Sequence, residues 1–262
     1  MISLTVAGLL VGFAVGVTGV GGGSLMTPLL ILLFGFSPAV AVGTDLLYAA
    51  GTKSFGVWLH GKQKTVDWTI VARLAAGSVP ASLLTTAVLH HIGISETVER
   101  WMMISLCLAI VATACLTLVK HRIQGAQQTS GFMQRWQVPI TVAGGILLGV
   151  LVTLSSVGAG VLGTTFLLLL YPRLPAISVV GTDIAHAVPL TLIAGLGHMT
   201  LGTTDFSVLI YLLAGSLPGI WLGTRLGTRL PEAALRSTIA VLLLVIGGGM
   251  LMDTAAAAYT GR

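Results

Sequence analysis

VGTDLLYAAGTKSFGVWLHGKQKTVDWTIVARLAAGSVP, residues 42–80, returns as VGTDIAHAVPLTLIAGLGHMTLGTTDFSVLIYLLAGSLP, residues 180–218, at an offset of 138. Of these 39 aligned positions 13 are identical without a gap. Shared hydrophobicity would not produce these identities, because they fall on rare residues. Val42-Gly43-Thr44-Asp45 meets Val180-Gly181-Thr182-Asp183, His60 meets His198, and Asp67 meets Asp205. Ala76-Gly77-Ser78 with Pro80 meets Ala214-Gly215-Ser216 with Pro218. The chain is therefore two copies of one unit, and what one copy does locally constrains the other.

The solvent for these copies is lipid. The chain is 55% hydrophobic and 8% charged, against about 25% charged for an ordinary soluble domain. So few charges cannot cover a water-facing surface. The 34 glycines suit close helix packing and interrupted helices in a bilayer. The net charge of +5 belongs to loops between apolar segments, and no basic patch with interleaved aromatics points to nucleic acid. Cys107 and Cys115 lie eight residues apart in one segment, about 12 Å along a helix. That is too far for a disulfide or a shared metal, so they read as core or lipid-facing residues. No cofactor is expected, and no cleavable signal: the N-terminal apolar run lacks a basic start and continues past any signal length.

Residues 1–44 carry no charge, and as one straight helix they would reach about 66 Å, twice a hydrocarbon core of about 30 Å. They must turn, and Gly19-Val20-Gly21-Gly22-Gly23 is the place. The first copy divides into segments at about 2–18, 23–35, 37–60, 68–89 and 101–119. The second copy is charge-free over 136–172, again too long for one crossing. It breaks near Ser155-Ser156-Val157-Gly158-Ala159-Gly160, with further segments at about 175–197, 206–224 and 237–252. The short second segment of each copy leaves two choices, a full crossing or a re-entrant hairpin.

Loop charges orient the copies. Lys62 and Lys64 put the 60–67 loop inside, and Lys120, Arg122 and Arg135 do the same for the linker. Glu96 and Glu99 offset Arg100, so the 90–100 loop lies outside. In the second copy the signs exchange: 198–205 has no Lys or Arg, while 225–236 holds Arg225, Arg229 and Arg236. The expected fold is an all-α integral membrane protein of two inverted repeats, each with about five hydrophobic segments broken at its glycine-rich motif. The expected divisions are repeat 1–119, cytoplasmic linker 120–135 and repeat 136–262, with both termini outside.

Inverted repeats place a substrate near mid-membrane at the repeat interface. A helix broken there presents backbone N–H groups and a dipole that favour an anion. Thr18, Gly21, Gly22, Gly23, Ser24 and Thr27 form that candidate site in the first copy; Ser155, Ser156, Gly158 and Gly160, with Thr164 and Thr165, form it in the second. Thr44 and Thr182, in the repeated Gly-Thr-Asp, join the substrate-binding set. The alternative for all of these is ordinary packing of small residues. Asp45 and Asp183 lie about 12 Å into their segments, where ionisable groups are costly and usually functional. They are candidate proton carriers, or else helix ties. His186 lies one turn beyond Asp183, and Tyr48 holds the matching place after Asp45. Lys53 and Arg73 break the repeat, facing Thr191 and Tyr211. Each is a candidate counter-charge for an anion, with snorkelling to the interface the simpler alternative. His60 and His198, at segment ends, are expected to bond loops and not metal. No metalloprotease, nucleophile-elbow or Walker motif occurs.

Gly19-x-Gly21-Gly22-Gly23, Pro28 and Val42-Gly43-Thr44-Asp45, through Gly77-Ser78-Val79-Pro80, with the second copy from Gly181-Thr182-Asp183-Ile184-Ala185-His186 to Gly215-Ser216-Leu217-Pro218-Gly219, resemble the TauE/SafE family of sulfite and organosulfonate exporters. The resemblance spans nearly the whole chain. It implies a non-enzymatic permease in the bacterial inner membrane, exporting a small sulfur-containing anion with coupling to an ion gradient. Asp at 45 and 183, where family members often carry a small polar or amide residue, marks a subgroup. Import of a related anion and a passive anion channel stay open. The nearly apolar fifth segments leave open either a homodimer contact or a lipid face.

Overall fold

The computed structural model describes residues 2–18, 23–62, 64–123, 136–226, 240–241 and 243–252. Every element among them is a helix. In chain order these are α1 (Ile2–Thr18), α2 (Gly23–Phe34), α3 (Pro38–Lys62), α4 (Trp68–Ile92), α5 (Glu96–Ile123), α6 (Gln137–Ser155), α7 (Val161–Leu170), α8 (Ala176–Thr200), α9 (Phe206–Leu226) and α10 (Leu243–Met252). Five of these, α4, α5, α6, α8 and α9, are long and apolar enough to cross a membrane. Helix α3 is as long as α8 but holds Asp45 and Lys53. The 12-residue α2 and 10-residue α7 would reach about 18 Å and 15 Å, half a hydrocarbon core of about 30 Å.

Helix ends follow local chemistry. Asp67 has extended backbone, and its carboxylate accepts from the amides of Thr69 (3.0 Å) and Ile70 (3.2 Å), capping α4. Its counterpart Asp205 accepts from Val208 N at 3.0 Å and opens α9. The sequence suggests a loop over 90–100, but α4 runs to Ile92 and α5 begins at Glu96. Ser95 accepts from the Val98 amide at its hydroxyl (3.4 Å) and from the Glu99 amide at its carbonyl (2.9 Å), and Glu96 and Glu99 sit in the first turn, where the helix dipole favours them. Helix α5 also runs on to Ile123, so the linker's first residues are helical. Residues 124–135 and 237–239 of the expected linker and last segment lie outside the described residues. The cysteines behave as expected: Cys107 is buried, Cys115 exposed, and both are free.

Helix starts in the two copies keep the 138-residue offset: 23 and 161, 38 and 176, 68 and 206. The packing keeps it too. Helix α1 lies against α9, α4 against α6, and α3 against α8. The offset maps α1 onto α6 and α4 onto α9, so the first two contacts are one contact made twice, and each joins the two copies. Both are backbone-to-backbone. A Cβ added to Gly12 of α1 would stand 2.7 Å from Ser216 Cα, and one on Gly219 of α9 would stand 2.9 Å from Phe13 N. Gly149 of α6 would meet Ser78 Cα at 2.9 Å. Small residues permit this approach where lipid offers no hydrophobic drive for helix association. Large apolar side chains such as Leu10, Leu33, Leu84, Leu147, Ile210 and Val245 are exposed on the outside, as a lipid-facing surface requires. Trp68, Trp101, Trp136 and Trp221 are exposed near helix ends, the position of an interfacial aromatic belt. Arg225 stacks on the Trp221 ring at 4.1 Å.

Candidate functional site

The break between α6 and α7 is the centre of the site. Ser156 ends α6 in a left-handed conformation (φ 59°), its amide donating to Val152 O at 2.8 Å. Gly158 and Gly160 follow at φ 140° and 141°, a region open in practice to glycine alone. The sequence Ser-Ser-Val-Gly-Ala-Gly thus builds a turn that no chain of larger residues would hold. Ser155, Ser156, Val157 and Ala159 are all buried, so the broken backbone lies inside the protein.

Helix α3 brings three groups to it. Asp45 is fully buried and accepts from Thr27 Oγ1 of α2 at its Oδ2, 2.5 Å away. Its Oδ1 has no hydrogen-bond partner among the described residues. Ser156 faces Asp45, its hydroxyl outside hydrogen-bonding geometry. Lys53 is 6% exposed, and its ammonium donates to Ala159 O in the break at 2.8 Å. It does not snorkel to an interface as the simpler sequence reading had it. Its reach ends 106 residues away in the other copy, on a carbonyl freed by the break. Tyr48 is buried and faces Ser216 of α9, its hydroxyl without a hydrogen bond among the described residues.

Helix α8 supplies the matching set. Asp183 is fully buried against the first turn of α7, where a Cβ on Gly163 would strike its Oδ1. His186 Nε2 lies 2.8 Å from Ser78 Oγ of α4. The offset carries Tyr48 to His186 and Ser216 to Ser78, so one inter-copy contact appears twice with different chemistry. Lys53 lies within electrostatic reach of Asp183, Asp45 and His186. One ammonium thus lies within reach of two buried carboxylates and a buried imidazole. Thr165 matches Thr27, and its hydroxyl is buried without a hydrogen-bond partner among the described residues. Among the described residues no group of three or more His, Cys, Asp or Glu could hold a metal.

The family model described as "Sulfite exporter TauE/SafE" matches residues 4–250. The chain belongs to the TauE/SafE family. It is 35% identical to the Bacillus subtilis "Probable membrane transporter protein YjnA" over 94% of this chain and 98% of that one. Two further Bacillus subtilis proteins printed as probable membrane transporters, YdhB and YunE, are 26% and 27% identical, each over more than nine-tenths of both chains. No solved structure matches. This TauE/SafE member is a multi-pass membrane transporter.

Within it the sequence-derived candidates separate. Thr27, Asp45, Lys53, Ser156, Gly158, Gly160 and Asp183 converge on the break, and His186 lies within electrostatic reach of Lys53. Ser155 turns its hydroxyl onto the backbone of Leu151 (2.7 Å) and Val157, shaping the turn. Thr44 and Thr182 are committed elsewhere. Thr44 Oγ1 accepts from the Asp205 amide at 3.0 Å, and Thr182 Oγ1 from the Asp67 amide at 2.9 Å. They tie the α9 and α4 caps to the other copy. Thr182→Val is expected to cost about 1 kcal/mol of stability, the usual worth of one buried hydrogen bond, with flux per folded molecule retained. Thermal unfolding in detergent beside a flux assay checks both. Arg73 is half-buried on α4, and among the described residues no hydrogen bond joins it to the cluster. His198 holds Thr203 Oγ1 and Thr153 O at 2.9 Å each, bonding loop and neighbour as expected. Gly21 and Gly22 lie outside the described residues, as do the side chains of Thr18, Ser24 and His60; Gly23 opens α2. Ser78 and Gly163 were missed. Ser78 stood in the repeated Ala-Gly-Ser motif, which marks the repeat but carries no sign of its His186 partner.

Proposed function

We propose that this TauE/SafE protein is a secondary transporter that exports a small sulfur-containing oxyanion, sulfite or an organosulfonate, with coupling to protons. The observation that carries the reading is the meeting of Lys53, Asp45 and Asp183 at the broken backbone of residues 156–160. An oxyanion needs positive charge and N–H donors. Lys53 supplies the first, and the first turn of α7 supplies the second. Asp183 stands against that same turn, where the dipole favours a negative charge. With both aspartates ionised, a substrate anion is repelled there; a proton on one of them relieves the repulsion. Anion and proton binding are then linked, each favouring the other.

The assembly is two inverted repeats, 1–119 and 136–262, in the bacterial inner membrane. The basic 120–135 linker lies in the cytoplasm, and both termini lie outside. Direction follows the gradients: an anion that crosses together with a proton moves outward when its internal accumulation exceeds the opposing proton gradient, as for an anion produced inside. Asp45→Asn and Asp183→Asn test the coupling. Each is expected to flatten the pH dependence of flux, because a neutral amide mimics a permanently protonated carboxyl. Flux and pH profile both at wild-type values in the two variants would remove the aspartates from coupling.

A further inference from the structure

The polar ties named above sort the helices into two groups that ignore the repeats. Thr44 binds the α9 cap to α3, and glycine packing fuses α9 to α1. Thr182 binds the α4 cap to α8, Ser78 meets His186 between the same helices, and Thr153 donates to Ser82 at 2.8 Å between α6 and α4. His198 of α8 also holds Thr153 O of α6. One group is α1, α3 and α9; the other is α4, α6 and α8. Each contains helices from both copies.

The boundary between the groups is α3 against α8, and it is made differently. A Cβ on Gly56 would meet the Ile184 methyl at 3.4 Å, and one on Gly195 would meet the Leu47 Cδ2 at 2.6 Å and its backbone N only at 3.2 Å. Cβ atoms on Gly12, Gly219 and Gly149 would instead strike the carbonyl oxygens of Ser216, Leu9 and Ser78, closer than either. Side-chain ends can slide past one another where fused backbones cannot. The chain crosses between groups at 63–67 and 201–205, the loops leading into α4 and α9. Of the side-chain hydrogen bonds named here, one spans the boundary: Lys53 of α3 to Ala159 O, between α6 and α7.

We infer that the moving parts of this transporter are these two mixed groups and not the two repeats, and that Lys53 latches them. The anion takes the ammonium from the Ala159 carbonyl, and the α3–α8 seam is then released to shift. This rests on the transport reading above. Rocking of one repeat against the other would require the α1–α9 and α4–α6 contacts to part, and their glycines leave no side chains to slide.

Two disulfides separate the alternatives in proteoliposomes, on a Cys107→Ala, Cys115→Ala background. Methanesulfonate and isethionate are the probes, since sulfite itself cleaves disulfides. Ser82→Cys with Thr153→Cys ties the two repeats together within one mixed group. Oxidation there is expected to leave at least about half of the flux, because a link inside a rigid body restrains nothing that moves. Gly56→Cys with Ile184→Cys pins the seam, and oxidation is expected to cut flux about tenfold or more, with dithiothreitol restoring it. In the same pair the anion should change the rate of disulfide formation, and Lys53→Met should abolish that response. Flux blocked by the Ser82–Thr153 link, or indifferent to the Gly56–Ile184 link, overturns the mixed-group assignment. An anion response that survives Lys53→Met overturns the latch. No flux in the reduced proteins overturns the transport reading, and this inference with it.

Discussion

Lys53→Met is expected to lower anion flux about 10- to 100-fold, the scale of losing a hydrogen-bonded buried charge worth about 1.5–3 kcal/mol. Methionine fills the same space, so packing survives while three relationships go. Ala159 O loses its donor, the broken backbone loses its positive neighbour, and Asp45 and Asp183 both lose the cation within their reach. The last change also raises the repulsion an incoming anion meets. Lys53→Arg keeps the charge in a larger, planar group that cannot fit the same buried contact unaltered, and flux between the two is expected. Initial rates in proteoliposomes, normalised to folded protein, measure it. Wild-type flux in Lys53→Met would place the counter-charge elsewhere and return Lys53 to a structural role.

Gly12→Val is expected to cost the fold itself. Its first added carbon would sit 2.7 Å from Ser216 Cα and nearer still to the Ser216 carbonyl, and neither can move without shifting α9. Overpacking of ordinary cores costs about 1–3 kcal/mol, and backbone neighbours place this site at or above the top of that range. Because α1 and α9 belong to different copies, the loss separates the repeats and is not confined to one helix. Gly248→Ala is the control. Among the described residues nothing lies within 4 Å of the position a Cβ would take there, so helix propensity alone applies, and stability should hold or rise by up to about 1 kcal/mol. Thermal unfolding and size-exclusion profiles in detergent distinguish the two. A monodisperse Gly12→Val protein with an unchanged midpoint would mean that α1 and α9 do not meet through their backbones.

Much of this architecture is legible in one dimension because charges and glycines punctuate it. Helix α2 opens at Gly23, the last glycine of the run from Gly19, and α9 starts after Asp205 as the repeat requires. The helix starts at Pro38 and Ala176 fall one residue from where the apolar runs place them. What stays hidden is pairing at a distance. Lys53 looks like a residue that reaches for an interface, because nothing near it in sequence explains its burial; its partner carbonyl is freed by a turn in the other copy. Thr44 and Thr182 lie beside the buried aspartates and invite assignment to the substrate, but their hydroxyls accept loop amides 161 and 115 residues away. Ser78 lies in a repeated motif whose identity is visible and whose contact with His186 is not. The start of α5 was displaced for a local reason: Glu96 and Glu99 count as loop charges when orientation is read, and as first-turn helix residues when Ser95 opens the helix.

The most direct test of the account is anion flux by the purified protein in proteoliposomes loaded with sulfite, methanesulfonate or isethionate, with and without an imposed pH gradient. Saturable flux of at least one of these anions, changing in rate when the gradient is imposed, is the predicted result. No flux of any of them, or flux indifferent to the gradient, would contradict a proton-coupled carrier of sulfur oxyanions.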